Sequence, residues 1–182
     1  IFVIDSSGSM NQARARVAKE IKSTLDVYPT VKGIQVMNGQ GTHLFPGRKG
    51  IWLDDTQQIR NLILRNIPGW TASDNSDPTL GIDTAIKTYY DGKKRISVYV
   101  YGDDFGGRRS IRRVIESIDR INTGRESTER LVRVHAICFP VILMDPVFGQ
   151  LSKISTVQFA NLMRELAFRN GGTFVGLNDF RP

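Results

Sequence analysis

The stretches "RISVYVYG" and "RLVRVHAICF" are too continuously apolar to be strands with one wet face. A strand buried on both faces belongs to a sheet covered on both sides, and such sheets are mainly parallel. Parallel neighbours need crossover connections, and the intervening segments supply them with helical periodicity. Ala13, Val17, Ile21 and Leu25 recur at steps of four, with Arg14, Arg16 and Lys22 between them. Ile111, Ile115, Ile118 and Ile121 mark one side of a later helix, and "VQFANLMRELAFRNGG" reads as another, closed by glycine ahead of a last strand "TFVGL". The expected fold is therefore α/β and Rossmann-like: an open, mainly parallel sheet with helices on both faces.

The punctuation between these elements is equally legible. "GIQVMNGQGTHLF" predicts two short strands about the turn Asn38–Gly41, which would place one antiparallel hairpin strand at an edge of the sheet. "DDTQQIRNLILRNI" predicts a helix to about Ile67, with Asp55 three residues before Gln58 in capping-box spacing. "PGWTASDNS" is a loop by composition, and in "SDPTLGIDTAIKTYY" Asp77 can cap a helix whose first position is Pro78.

At 182 residues the chain is long enough for one well-packed domain, and a single domain over 1–182 is the reading. The first strand starts at residue 1 with no leader, so the expectation is a domain cut from a longer protein. No apolar run approaches the ~18 residues of a membrane span. A net charge of +7 favours acidic partners without naming one. Nothing demands a dimer, so the isolated domain is expected to be monomeric. The single cysteine, Cys138, lies in an apolar run and reads as a small buried hydrophobe.

In open α/β sheets ligands sit outside the carboxyl ends of the strands, where strand order reverses. Three loops compete for that rim: Asp5 to Met10 after "IFVI", Ser73 to Asp77 ahead of the proline-started helix, and Gly102 to Gly107 after "RISVYVY". Asp5, Ser7 and Ser9 put a carboxylate and two hydroxyls on alternate positions, and Asp103 and Asp104 stand at a strand end. Hard oxygen donors without histidine or thiolate suit Mg²⁺ or Mn²⁺, leave Ca²⁺ possible, and disfavour zinc.

"DSSGSM" resembles the first metal-binding motif, Asp-x-Ser-x-Ser, of the von Willebrand factor type A (VWA) domain family. The likeness runs in order along the chain, through the helix after the motif and an aspartate after the strand "RISVYVY", to the glycine-closed last helix in "LAFRNGGTFVGL". It implies a metal-ion-dependent adhesion site in which Ser7 and Ser9 bind the cation directly and Asp5 holds metal-bound water. "NSDPTLGIDTAI" is similar to the family's second loop and puts Ser76 at its threonine ligand, with Thr71 as a rival; Asp103 matches the third-loop aspartate. Many members have Thr-Asp-Gly where this chain has Gly102-Asp103-Asp104, an additional charge that bears on local geometry and metal preference. The implied activity is cation-dependent binding of a protein that offers an Asp or Glu side chain to the metal.

Simpler roles compete at several of these positions. Ser9 stands three before Gln12 and could cap a helix; Asp77 reads as a cap before a ligand, Asp104 as a solvated carboxylate, Asp54 and Asp55 as caps, and His43 and His135 as structural. Among other functions, a Mg²⁺-dependent phosphoryl-transfer enzyme lacks a Walker lysine, a nucleophile paired with a base, and a second carboxylate in the first loop. Nucleic acid or another anionic surface could use Arg108, Arg109, Arg112 and Arg113, though no aromatic residues interleave with them. "PVILMDPVFGQLSKIS" is a long apolar connection, and Leu143, Met144, Val147 and Phe148 are expected to form a partner-contacting patch beside the metal, with Trp70 on the opposite side.

Overall fold

A computed structural model describes residues 1–71, 76–106, 110–124, 129–144 and 150–181, the side chains of 150–152 excepted. Its five strands are β1 (Phe2–Ile4), β2 (Val36–Asn38), β3 (Ile96–Gly102), β4 (Val132–Cys138) and β5 (Phe174–Gly176), in the spatial order β2-β1-β3-β4-β5. Every neighbouring pair is parallel. This is the doubly wound arrangement whose strand order reverses between β1 and β3, so the loops leaving those two strands flank the reversal crevice.

Alternation along the strands divides the interior in two. Val3, Val98, Val100, Val134 and Ala136 face α3 (Thr79–Tyr89), α4 (Ile111–Ile121) and α6 (Gln150–Arg169). Phe2, Ile4, Val36 and Tyr101 face α1 (Arg14–Val27) and α2 (Gln57–Asn66). The four-residue spacing in α1 is realised as a buried stripe of Val17, Ile21 and Leu25. Each such side chain contributes about 1.5–3 kcal/mol by leaving water, so a stripe of three holds the helix on the sheet.

Three local expectations are revised. The Asn38–Gly41 turn forms, with Gly41 at φ +78°, but the antiparallel arm after it is an isolated bridge between Met37 and His43, beside another between Ile34 and Leu53. Pro46 starts a 3-10 turn there, and the Gln35 side-chain amide donates to the carbonyls of Arg48 and Ile51, satisfying backbone groups that a strand ladder would otherwise use. The capping box at α2 does not form. Thr56 is the cap, accepting from Ile59 N at 3.2 Å, while Asp55 pairs with Arg60 at 2.5 Å and accepts from Val31 N. Finally, the described residues after β4 include helix on both sides of 145–149: Val141–Met144 form α5, and α6 starts at Gln150, well before Val157.

Cys138 is buried, and burial pushes its thiol pKa up, as expected of an inert core thiol. His43 bonds Tyr89 Oη at 2.7 Å and His135 stacks on Tyr99, so both have structural partners. Among the described residues no helix is long and apolar enough to cross a membrane.

Candidate functional site

The first loop begins where β1 ends. Asp5 N continues the parallel ladder by donating to Tyr101 O at 2.8 Å, which fixes the carboxylate just past the strand. Ser7 N donates to Asp5 Oδ1 at 2.8 Å, a turn closed by the side chain that orients both residues. The chain then enters a short 3-10 helix, Ser9–Gln12, anchored by the fully buried Met10. Ser7 Oγ and Ser9 Oγ lie 3.0 Å apart, so the alternating hydroxyls do share one side of the loop.

Ser9 is not a cap. Its hydroxyl crosses to the third loop and donates to Asp103 Oδ1 at 3.1 Å. Asp103 is completely buried, and its Oδ2 has no hydrogen-bond partner. Burial first and the Asp5 carboxylate second push its pKa up to about 8, against the Ser9 hydrogen bond, with Asp104 adding to the rise. A buried carboxylate held beside another carboxylate and two hydroxyls is an environment that a cation would relieve. The close approach depends on Gly102: a Cβ there would lie 3.2 Å from Asp5 Cβ and 2.7 Å from the ring of Phe159.

The second loop contributes Ser76 and Asp77, both buried. Ser76 has φ +55°, a left-handed conformation that costs a serine energy and occurs where surrounding structure imposes it. Its carbonyl accepts from Gly106 N at 3.2 Å, joining second loop to third. Asp77 Oδ1 accepts from Thr79 N at 2.9 Å and from the Thr79 hydroxyl, but α3 starts at Thr79 with Pro78 in the cap position, so the helix begins one residue later than expected and Asp77 stands just outside its cap. Asp5, Ser76 and Asp77 nevertheless line one small void of about 10 Å³, room for a single water or ion.

The other predicted residues are dispersed. Thr71 is exposed, Asp104 is half-buried with Oδ1 accepting from Phe105 N, and Trp70 packs partly into the α1–α2 side of the core. Leu143 and Met144 are each 45% exposed on α5, a helix that packs against the 3-10 helix carrying Ser9. Arg112 pairs with Glu116 at 2.8 Å and Arg113 is exposed. Arg108, Arg109, Val147 and Phe148 lie outside the described residues.

Two participants carried no functional signal in the sequence. Arg14, though charged, stands three residues before Val17 and seven before Ile21, on the inner face of α1, and it is buried there, donating to Ser6 O at 3.1 Å and to Trp70 O. Burial pulls its pKa below the ordinary guanidinium value while the Asp5 carboxylate pulls it back. Asn38, at the end of β2 and fully buried, donates to Ser6 Oγ at 3.1 Å and accepts from the amides of Gln40 and Thr42. The adjacency of a polar residue to a strand end is the only hint of such a role.

Among the described residues no three His, Cys, Asp or Glu side chains gather as a metal-holding group. The donors that do converge are mixed: two serine hydroxyls and the carboxylates of Asp5 and Asp103, with Ser76 at the adjoining void. Hydroxyl and carboxylate oxygens are the set that suits a hard, six-coordinate cation.

No protein-family model and no curated protein matches the sequence. Solved structures do resemble it. An aerotolerance-related membrane protein from Bacteroides fragilis superposes with a TM-score of 0.64 at 15% identity, over 98% of this chain and 90% of that one. BatB from Bacteroides thetaiotaomicron gives 0.64 at 14% identity, over 98% and 89%. Proximal thread matrix protein 1 of the mussel byssus gives 0.57 at 16% identity, over 98% of this chain and 41% of that one. At these identities the likeness shows the fold alone, a parallel five-stranded sheet covered by helices.

Proposed function

We propose that this chain is a protein-interaction module that uses a divalent cation, Mg²⁺ or Mn²⁺, to bind an acidic side chain of its partner without chemical turnover. The observation that carries the reading is the Ser9–Asp103 contact, which joins the first loop to a fully buried aspartate whose second oxygen has no hydrogen-bond donor. Ser7, Ser9 and Asp103 would hold the ion, with Asp5 orienting the first loop and Ser76 at the adjoining void. When bound, such an ion supplies a positive charge with an open coordination position for a carboxylate. The VWA-like fold supports this reading, since it puts the loops after β1 and β3 side by side at the reversal of strand order.

Thermal melting in chelator and then in titrated Mg²⁺, Mn²⁺ and Ca²⁺ tests it, with Asp5→Ala and Ser7→Ala alongside. A ligand of the native state at ~100 times its dissociation constant adds about 2.7 kcal/mol, a shift of several degrees. A saturable rise with metal, abolished in both variants, is expected. Absence of a rise with every metal overturns the cation, and partner capture that is unchanged by chelator overturns the cation-dependent binding.

A further inference from the structure

Beside the turn that follows β2, two buried side chains form a chain of hydrogen bonds that crosses from the edge of the sheet to α3. His43 is buried on the arm after that turn, and its Nε2 lies 2.7 Å from the Oη of Tyr89, the last residue of α3. Tyr89 Oη accepts from Gly50 N at 3.0 Å. The other ring nitrogen of His43 bonds the Gly41 carbonyl, which can only accept, so the proton of the neutral ring belongs on that nitrogen. Nε2 is then an acceptor, and the Tyr89 hydroxyl donates to it. Each donor and acceptor has its partner in this one arrangement, with His43 neutral.

A second proton on the ring breaks the chain. The new Nε2–H would meet the Tyr89 hydrogen, so the phenol oxygen would have to accept from both Gly50 N and His43. Its own hydrogen would lose its acceptor in a place that is 3% exposed. Burial pushes the His43 pKa below the ordinary histidine value of 6.5; the Gly41 carbonyl opposes this, and the Lys49 charge adds to it. Among the described residues the surrounding charges do not offset an imidazolium. β2 and the arm as far as Leu44 hold no charged residue, and Asp83 and Lys87 of α3 pair with each other at 2.8 Å. Arg48 and Lys49, in the loop that follows, are both cationic and exposed. The turn beneath the arm supports two neighbours: Gly39 O accepts from Gly81 N at 2.7 Å, and the Asn38 amide donates to Ser6 Oγ.

We propose that His43 and Tyr89 form an acid-sensitive latch, closed while His43 is neutral, and that protonation of His43 frees the arm after β2 from the end of α3 while the rest of the sheet stays intact. The latch uses none of Ser7, Ser9 and Asp103, so it stands or falls independently of the cation reading. Folded His43 resists a proton that the unfolded chain takes up near 6.5, so its contribution to stability is full above that pH and is lost as pH falls through the window below it. Trp52 stands edge-on to Tyr89 with ring centroids 4.9 Å apart, so its emission reports on the latch once Trp70→Phe removes the other tryptophan. Titrated in chelator from about pH 8 to about pH 4, the full chain is expected to show one reversible, single-proton step in Trp52 emission below 6.5, at constant far-ultraviolet circular dichroism. NMR titration of the His43 ring should share its midpoint. In acid the Gly50 and Leu44 amides should lose about tenfold or more of their exchange protection, while the β3 amides keep theirs. The step is expected to vanish in His43→Gln, to persist in His135→Gln, and to move to higher pH in Tyr89→Phe, where the neutral ring loses its donor. No step in the parent, a His43 ring that titrates at or above 6.5, a step that survives His43→Gln, or loss of β3 protection in the same step overturns the proposal.

Discussion

Ser9 Oγ donates to Asp103 Oδ1 at 3.1 Å, a contact between residues 94 positions apart that closes the loop after β1 onto the end of β3. Its energetic consequence is a pH dependence with an unusual sign. In the unfolded chain an aspartate titrates near 3.8, whereas burial and the Asp5 carboxylate push Asp103 up to about 8 in the fold. Between those values the native state holds a proton that the unfolded state has released, so stability falls as pH rises through the window. In chelator, the melting temperature is expected to decline from about pH 5 to pH 8 more steeply than in Asp103→Asn. Melts across that range check it; parallel profiles for the two proteins would remove the assignment.

Gly102 makes the same juncture sterically possible. A methyl group there would sit 2.7 Å from Cζ of Phe159, which is itself buried in the α3–α4–α6 side of the core, and 3.2 Å from Asp5 Cβ. Gly102→Ala therefore overpacks the site and should cost about 1–3 kcal/mol in denaturant unfolding. Gly8→Ala, in the same first loop but with nothing within 4 Å of the added carbon, is expected to change stability little, within about 0.5 kcal/mol.

What could be read ahead of the structure was what short-range chemistry controls. The Val17, Ile21 and Leu25 stripe and the near-continuous apolarity of β3 and β4 identify a covered parallel sheet, and Asp5, Ser7 and Ser9 alternate because they leave one strand end together. Long-range satisfaction was not legible. Asp55 matched a capping-box spacing, but Arg60, five residues on, takes its carboxylate and also donates to Leu25 O and Tyr28 O, binding the end of α1 to the start of α2. The second hairpin arm failed for a similar reason, because Gln35 bonds carbonyls 13 and 16 residues away.

Arg14 is the clearest case, and it yields a prediction of its own. Its guanidinium ties Ser6 O, in the first loop, to Trp70 O, 56 positions away at the entrance to the second. Arg14→Met keeps the apolar stem and leaves both carbonyls without that donor, at a cost of roughly 2–4 kcal/mol. Arg14→Lys, with a single ammonium in place of a planar fork, should fall between the two. Denaturant midpoints of the three proteins decide; a variant as stable as the parent would mean that water replaces the guanidinium at both carbonyls.

The short helix α5 separates packing from surface within four residues. Val141 and Ile142 are buried, whereas Leu143 and Met144 are 45% exposed beside the helix that carries Ser9. Ile142→Ser removes a buried aliphatic side chain and should lower stability by about 2–4 kcal/mol. Leu143→Ser with Met144→Ser removes area that is already half in water, so the unfolding midpoint should move by no more than about 0.5 kcal/mol. Metal-induced melting shifts should likewise survive in the double variant, because neither side chain offers an oxygen to the first loop. If instead the double variant is as unstable as Ile142→Ser, the two residues belong to the core of the rim, and the partner-facing patch expected at this end of the sheet loses its only described members.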